Sequence, residues 1–314
     1  MNLFEMRSAY QVGKIPKQQY IEDMHRLHAA LFDYVPFLRN TDIAEISITS
    51  EQIVMTIKES GIKIFCEPTD KRNIPIEILN LGAFEKDEFE MMKRLVREDF
   101  TVWDIGAKVG WYSINLAKLF PQARLLAFEP IPSTYQQLLK NIALNQISNI
   151  QTYNFGFSNK ADTLTFYFYP ECSGNASSAN LSGRDSVRTL SCPVKTVDAF
   201  AVESGYKVDF IKCDVEGAEL FVFQGGIKTI EQQRPIIFTE MLRKWSAKFN
   251  YHPNQIIELL TKIGYRCFVL QGNKLIDFHL MDENTAETNF FFLHPSKHAA
   301  LITALHSGAK AKSV

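Results

Sequence analysis

Carboxylate side chains of this 314-residue chain stand in, or just after, short apolar runs of the kind that form buried strands. Asp104 lies within one such run, and Glu129 and Glu240 each follow another. Asp214 and Glu216 come together, directly after a fourth run. A carboxylate accepts hydrogen bonds from ribose hydroxyls and can take a proton from an acceptor group. These acids are therefore our candidates for ligand binding and for general base catalysis.

A strand, a glycine turn, a helix and a second strand position the first two acids. These elements are predicted at residues 101–105, 106–110, 111–120 and 125–128, with a proline ending the helix. Gly106 and Gly110 let the backbone approach a ligand closely, and the helix N-terminus adds amide donors. Glu129 ends the second strand, where it is placed to bind both hydroxyls of a ribose. The stretch therefore predicts half of a nucleotide-binding βαβ unit.

Two classes of cofactor fit a unit of this kind. A dinucleotide site usually shows G-x-G-x-x-G, whereas the glycines here are spaced G-x-x-x-G and are preceded by Asp104. An acid at this place repels a pyrophosphate but attracts the ammonium and sulfonium groups of S-adenosylmethionine. The residues thus favour S-adenosylmethionine, and a turn of this shape without any ligand is the alternative.

The other acids follow two further predicted strands. Asp214 and Glu216 come after a strand at 210–213, just before a helix, and Glu240 comes after a strand at 235–239. Ligands of open parallel sheets bind outside the carboxyl ends of the strands. We therefore expect these acids to face the same crevice as the acids of the first unit. Simple capping of the following helix is the alternative for the first two.

Composition limits the classes of function. Hydrophobic residues make up 46% of the chain and charged residues 22%, with a net charge of −1, so nothing indicates a nucleic-acid partner. Five cysteines without a C-x-x-C pair indicate neither a zinc site nor a disulfide framework. We see no signal peptide and no apolar run of about 20 residues that would span a membrane. We expect a cytoplasmic protein, of an oligomeric state that the sequence does not give.

The remaining elements surround this predicted core. Before it we expect helices over 1–40, a small antiparallel sheet within 43–65, and an amphipathic helix over 82–96 that could bring an acid to the cofactor. After it we expect a helix at 133–145, strands at 150–155 and 163–169 that pair as a hairpin, a loop at 171–192, a helix at 254–263, and strands at 265–270 and 289–293. We divide the chain into an N-terminal extension (1–80), a main domain (81–296) and a C-terminal tail (297–314).

Several of these stretches resemble the FkbM family of S-adenosylmethionine-dependent methyltransferases. They are Asp104-Ile105-Gly106-Ala107-x-x-Gly110, Phe128-Glu129-Pro130, Asp209-Phe210-Ile211-Lys212-x-Asp214-Val215-Glu216-Gly217-Ala218-Glu219, and Arg234-Pro235 with Glu240. The resemblance extends from about residue 80 to about residue 295. Its most specific part is the run D-V-E-G-A-E.

The resemblance implies a class I methyltransferase fold, a Rossmann-like α/β architecture. It would have a seven-stranded sheet in the order 3-2-1-4-5-7-6, with the last strand antiparallel. It also implies a cofactor site with Asp104, Gly106, Ala107 and Gly110 at the methionine end, Glu129 and Pro130 at the ribose, and Ser158 and Asn159 near the adenine. The chain departs from the family at Lys108, where an asparagine is usual, and at Asn159, where an acid is common.

The resemblance further implies O-methylation, a reaction that depends on alignment and benefits from a base. No histidine occurs between His28 and His252, so the candidate catalytic residues are Asp214, Glu216 and Glu240. We favour a metal-free mechanism over one in which these acids hold a divalent ion that acidifies the alcohol. The sequence thus predicts an O-methyltransferase for a saccharide or small natural product. An N- or carboxyl-methyltransferase and a non-catalytic cofactor-binding relative are the alternatives.

Overall fold

A mixed eight-stranded sheet lies at the centre of the computed structural model, which describes residues 1–169, 171, 176–181 and 187–306. The strands of the described residues are β1 Ile43–Ile48, β2 Ile53–Ile57, β3 Lys63–Phe65, β4 Thr101–Ile105, β5 Arg124–Phe128, β6 Ile150–Tyr153, β7 Gly156–Phe157, β8 Asp162–Phe168, β9 Arg188–Lys195, β10 Phe210–Cys213, β11 Ile236–Glu240, β12 Arg266–Gln271, β13 Lys274–Phe278 and β14 Asn289–Leu293.

The described part of the chain contains thirteen α-helices. They are α1 Leu3–Gln11, α2 Lys17–His28, α3 Ala30–Phe37, α4 Ile74–Leu81, α5 Lys86–Leu95, α6 Trp111–Leu119, α7 Pro132–Leu144, α8 Val197–Ser204, α9 Glu219–Gln224, α10 Ile227–Gln233, α11 Arg243–Ser246, α12 Asn254–Lys262 and α13 Pro295–His306. No helix in the described part of the chain is long and apolar enough to cross a bilayer.

The strands of the central sheet lie in the order β13-β12-β14-β11-β10-β4-β5-β6. The five strands from β11 to β6 run parallel, and β14, β12 and β13 each run antiparallel to the preceding neighbour. The predicted α/β fold is confirmed, but the prediction of seven strands is wrong. The additional strand, β13, returns beside β12 through a tight turn in which Gly272 has a φ of +59°. Parallel pairing brings the carboxyl ends of β4, β5, β10 and β11 to one edge.

Alternating side chains divide the apolar core between the two faces of the sheet. Phe290 and Phe292 of β14 join one cluster, whereas Phe291 joins the other, because successive side chains of a strand point to opposite faces. The cluster around Phe291 also contains Met55 and Ile64 of the small sheet β1-β2-β3. The N-terminal sheet therefore shares a core with the main sheet.

A second small sheet corrects two predictions. β8 pairs antiparallel with β9, not with the chain at 150–157, and β7 pairs with β9 in parallel. The predicted loop at 171–192 is therefore wrong from Arg188 onward, since β9 begins there. Residues 170, 172–175 and 182–186 lie outside the described part of the chain. Alternation of Leu190, Cys192 and Val194 with polar residues or proline was the sequence signal for this strand.

The helix predicted from residue 82 begins instead at Lys86, as α5. Gly82, with a φ of +91°, ends the preceding helix α4, which the periodicity did not predict. Asn73 caps α4, since its side chain accepts a hydrogen bond from the backbone of Ile76. The short connection after α4 leaves Glu85 as the residue that enters α5, in a left-handed conformation with a φ of +42°.

Candidate active site

A cavity of about 410 Å³ opens where the carboxyl ends of β4, β5 and β10 meet. Of the predicted site residues, those that line it are Gly106, Glu129, Pro130, Ser158, Asn159, Asp214 and Glu216. Those that do not line it are Asp104, Ala107, Gly110 and Glu240. The edge of the sheet thus brings together residues that lie more than 100 positions apart in the chain.

Glu129 is held in a fixed orientation at the wall of this cavity. Its carboxylate accepts hydrogen bonds from the backbone N–H groups of Lys108, at 3.0 Å, and Ile131, at 2.8 Å. Burial raises the pKa of Glu129 to about 7, while these two hydrogen bonds act in the opposite direction. Each carboxylate oxygen keeps further acceptor capacity for a ligand hydroxyl.

Asp104 lies beneath the cavity and does not reach it. Its Oδ2 accepts a hydrogen bond of 2.6 Å from the Ser113 hydroxyl, and its Oδ1 lies 3.5 Å from Nζ of Lys212. The residue is almost fully buried. Asp104 therefore supports the site from below through Lys212, and its predicted direct contact with a cofactor has no support in its position.

The glycine turn is shaped by close packing within the protein. A Cβ atom on Gly106 would lie 1.9 Å from the backbone carbonyl oxygen of Asp214, and the φ of Gly106 is +79°. A Cβ atom on Gly110 would lie 2.6 Å from Leu138 of α7, against which Ala107 also packs. Only glycine permits these contacts at these backbone angles. The two glycines of the G-x-x-x-G spacing are therefore required by packing within the protein, in addition to any close approach of a ligand.

Lys212 is the central buried charge of the site. Its Nζ donates a 2.8 Å hydrogen bond to the carbonyl of Gly106 and lies 3.5 Å from a carboxylate oxygen of Asp104 and of Asp214. The ammonium also lies 5.5 Å from the ring centre of Tyr112. Burial alone lowers the pKa of Lys212, but the adjacent carboxylates outweigh this effect and raise its pKa above the ordinary value. A lysine within the apolar run F-I-K-C was the sequence signal for this role.

The turn after β10 is fixed by a third acid that the sequence analysis did not single out. One carboxylate oxygen of Glu219 accepts hydrogen bonds of 3.0 Å from the backbone N–H groups of Val215 and Gly217. The Tyr251 hydroxyl donates to the carbonyl of Gly217 at 2.9 Å. Glu216 has a φ of +55°, an uncommon conformation for a residue with a side chain. These bonds hold the turn in a shape that presents Glu216 to the cavity.

Part of the predicted loop contacts the same turn. The Ser177 hydroxyl donates a 2.8 Å hydrogen bond to the carbonyl of Glu216. The backbone of Ser177 is paired with that of Tyr167 in β8 by two hydrogen bonds, and Ser177 is fully buried. Ala176 and Ser178 on either side line the cavity. The second small sheet is therefore attached to the acidic turn through Ser177.

Two more acids lie beside the cavity without lining it. Burial and the charges of Asp214 and Glu216 raise the pKa of Glu240 to about 10, so Glu240 carries a proton at neutral pH. Glu85 accepts a hydrogen bond from the Tyr112 hydroxyl, and burial raises its pKa to about 7. Glu85 is the acid of the α5 region that comes close to the site.

The acids in and around the cavity form a cluster, and the ammonium of Lys212 lies beside Asp214. Burial and the charge of Asp214 also raise the pKa of Glu216 well above its ordinary value. Of the acids that line the cavity, Asp214 is the one that lies 3.5 Å from Nζ of Lys212. Within the described ranges, no group of three or more His, Cys, Asp or Glu side chains is arranged to hold a metal ion.

The raised pKa of Glu85 predicts a pH dependence of stability. An acid whose pKa is higher in the folded state adds stability below its unfolded pKa, and this stability is lost as the pH rises through its folded pKa, here about 7. The free energy of unfolding of the native protein should fall between pH 5 and pH 8. In Glu85→Gln we expect this fall to be smaller by on the order of 1–2 kcal/mol. Urea unfolding at both pH values measures the effect. Glu51→Gln, at an exposed position, is the control and should leave the pH dependence of stability unchanged. The same unchanged pH dependence in Glu85→Gln would contradict the raised pKa of Glu85.

Comparison with known proteins gives a family match over half of the chain. The model of the methyltransferase FkbM domain matches residues 104–267. This range contains the glycine turn, Glu129, the acidic turn and Glu240. It ends within β12.

Curated relatives share part of the chain at low identity. "Methyltransferase 1" of Beauveria bassiana is 26% identical over 41% of this chain and 59% of its own length. "Hexuronic acid methyltransferase AglP" of Haloferax volcanii is 25% identical over 62% of this chain and 75% of its own length. A crystal structure of an FkbM methyltransferase from Methylobacillus flagellatus is 16% identical, covers 63% of this chain and 44% of that chain, and has a TM-score of 0.42. The chain spans about three-fifths of the length of the Beauveria relative.

Proposed function

The chain belongs to the FkbM family of methyltransferases, and we propose that it transfers a methyl group from S-adenosylmethionine to a hydroxyl group of a saccharide or small natural product. The observation that carries the proposal is one cavity with Glu129 in its wall and Asp214 and Glu216 in another part of its lining. The first acid suits a ribose, and the other two suit an acceptor that must lose a proton.

Unsatisfied polar atoms support the cofactor assignment. The hydroxyl of Thr134 is buried, lines the cavity and has no hydrogen-bond partner among the described residues. Oδ1 of Asp214 is likewise buried without a partner in that part of the chain. Buried polar groups in proteins are nearly always satisfied, so these atoms fit a site that a polar ligand completes. Glu129, Pro130 and Ser158 would hold the nucleoside part of the cofactor.

Lys108 fits the same assignment despite the departure from the family. Its φ of +52° lies in the left-handed region, which asparagine adopts more readily than most residues, and this explains the family preference at the position. Its positive charge acts to lower the pKa of Glu129 and Glu216, although burial, the largest cause, raises both. The cation thus interacts favourably with acids of the cavity, which reduces its repulsion of a sulfonium.

The residues of the chain would act mainly by alignment and by removing one proton. S-adenosylmethionine, when bound, supplies an electrophilic methyl group. Asp214 accepts the proton of the acceptor hydroxyl as the oxygen of that hydroxyl takes the methyl group. Glu216 orients the acceptor, and the protonated Glu240 can donate a hydrogen bond nearby. Lys212 lies 3.5 Å from Asp214 and fixes its position.

Aromatic side chains beside the acids support a saccharide acceptor. Phe166, Phe221 and Phe249 line the cavity together with Asp214 and Glu216. Ligand sites commonly combine apolar walls with a few polar groups that orient the ligand. The apolar face of a sugar ring would pack on such walls while one of its hydroxyls meets the acids. The name of the Haloferax relative points to the same class of acceptor.

A methyl-transfer assay with a panel of acceptors tests the function. We expect S-adenosylhomocysteine to form with sugars or with small alcohols, and to form equally in the presence of a chelator. Product with amines or carboxylic acids but with no alcohol would favour the alternative methyltransferases. Cofactor binding without product from any acceptor would favour a non-catalytic relative, and loss of activity with a chelator would require a metal ion.

Glu129→Ala tests the ribose assignment. We expect the affinity for S-adenosylhomocysteine to fall by about 1.5–3 kcal/mol, because hydrogen bonds to a charged group are lost. Calorimetry measures the affinity, and the melting temperature checks that the variant is folded. Glu51→Ala, on the exposed surface, serves as the control. Unchanged affinity in a folded Glu129→Ala variant would remove Glu129 from the cofactor site.

A further inference from the structure

The first three helices leave an unusual number of apolar side chains in solvent. We call residues 1–37 the N-terminal arm; the structure describes all of it. Beyond Met1, the large apolar side chains at least 40% exposed are Leu3, Phe4, Val12, Ile21, Leu27, Leu31, Phe32, Tyr34, Val35 and Phe37. Met6 is the one buried residue of the arm. A surface of this kind marks an interaction site.

Contacts within the arm do not bury this surface. Tyr10 stacks on Tyr20 with ring centres 4.4 Å apart, and the ring centres of His25 and Phe32 lie 6.4 Å apart. Even so, α2 and α3 contain no buried residue. α3, with the sequence ALFDYVPF, is apolar around most of its circumference. A helix that is apolar all round is normally buried, and helices of 8–12 residues are marginal without packing.

The base of the arm is nevertheless fixed to the body of the protein. Nζ of Lys58, just after β2, donates hydrogen bonds to the carbonyl oxygens of Leu38, at 2.8 Å, and Arg39, at 3.2 Å. It also donates to the carbonyl of Thr41. These bonds satisfy carbonyl groups at the end of the last helical turn. The arm is therefore presented from a defined point.

We infer that the arm packs against the arm of a second copy of this chain. The exposed parts of the ten side chains amount to roughly 800 Å², if a large apolar side chain offers about 150 Å². A stable interface of standard size takes about 800 Å² from each partner. The arms of two copies, related by a two-fold axis, would therefore supply enough surface, and this symmetry is the commonest among soluble oligomers.

The charges of the arm favour a second copy over a membrane. The arm has four Lys or Arg residues and four Asp or Glu residues, so its net charge is zero with His neutral. Helices that bind anionic membranes are instead rich in Lys and Arg on the polar face. Balanced charges of both signs can pair across a two-fold axis without net repulsion.

The test is the mass of the full-length protein in solution. We expect sedimentation equilibrium at micromolar concentration to give twice the mass of one chain, 35.9 kDa. The double variant Phe32→Asp and Val35→Asp should give the mass of one chain with an unchanged melting temperature. Val202→Asp changes an 85% exposed apolar residue of α8, outside the arm, and should remain dimeric.

Two results would overturn the inference. One is a native protein that sediments as a single chain, and the other is a dimer that persists in the double variant. Should the double variant melt early, Phe4→Asp, at an 81% exposed position in α1, replaces it. Vesicles of mixed neutral and anionic lipid provide the last arm of the experiment. A native monomer that binds these vesicles through Phe32 would assign the arm to a membrane instead.

Discussion

Asp214→Asn is expected to lower kcat by about 10²–10⁴-fold, the usual range for a lost general base, while the protein keeps its fold and its affinity for S-adenosylhomocysteine. Asp214 lines the cavity, one of its carboxylate oxygens has no partner among the described residues, and the other lies 3.5 Å from Nζ of Lys212. The amide keeps the shape of the side chain but cannot accept the proton of the acceptor. The loss should therefore appear in turnover and not in cofactor binding.

Three measurements on each variant distinguish the roles of these acids. They are the melting temperature, the affinity for S-adenosylhomocysteine, and kcat per folded molecule. Glu216→Gln should raise KM more than Asp214→Asn does, if Glu216 orients the acceptor. Asp87→Asn, an exposed acid of α5, is the matched control and should change none of the three. Full turnover in both site variants would remove these carboxylates from the mechanism and leave alignment alone.

Lys212→Met is expected to lower the free energy of unfolding by about 3–5 kcal/mol, the cost of removing one partner from a buried ionic group. Lys212 lies 3.5 Å from carboxylate oxygens of both Asp104 and Asp214, and the side chains of Lys212 and Asp104 are almost fully buried. Without the ammonium, at least one carboxylate is left buried and unpaired. Urea unfolding at neutral pH measures the loss, with Lys228→Met as an exposed control.

A double variant separates this electrostatic effect from lost packing. The double variant Asp104→Asn, Lys212→Met removes one of the carboxylates that Lys212→Met alone leaves unpaired. Its loss in the free energy of unfolding should therefore be smaller than the sum of the losses of the two single variants. Additive losses would show that packing of the lysine stem, and not charge, accounts for the effect. A loss below about 1 kcal/mol for Lys212→Met alone would contradict the buried ionic group.

The sequence by itself determined the parallel strands and the edge at which the acids gather. Apolar runs at 101–105, 125–128, 210–213 and 235–239 are signals carried by neighbouring residues, and parallel pairing sends every carboxyl end to the same edge. The positions of Glu129, Asp214 and Glu216 at this edge were predicted in this way. Local signals failed for the pairing of β8 with β9, because these two strands lie far apart in the chain. β13 was missed because its sequence, KLIDF, carries two charged residues and no continuous apolar run.

Only the tertiary structure decided where each acid lies relative to the cavity. Asp104 and Glu129 each belong to the first predicted unit, yet one lies beneath the cavity and the other in its wall. Lys212 connects Asp104 to Asp214 across 110 positions of the chain, and Glu85 reaches the site from a helix outside the unit. Burial and charge–charge distances differ among these acids, and both depend on the packing of separate elements. Spacing along one strand or turn does not contain that information.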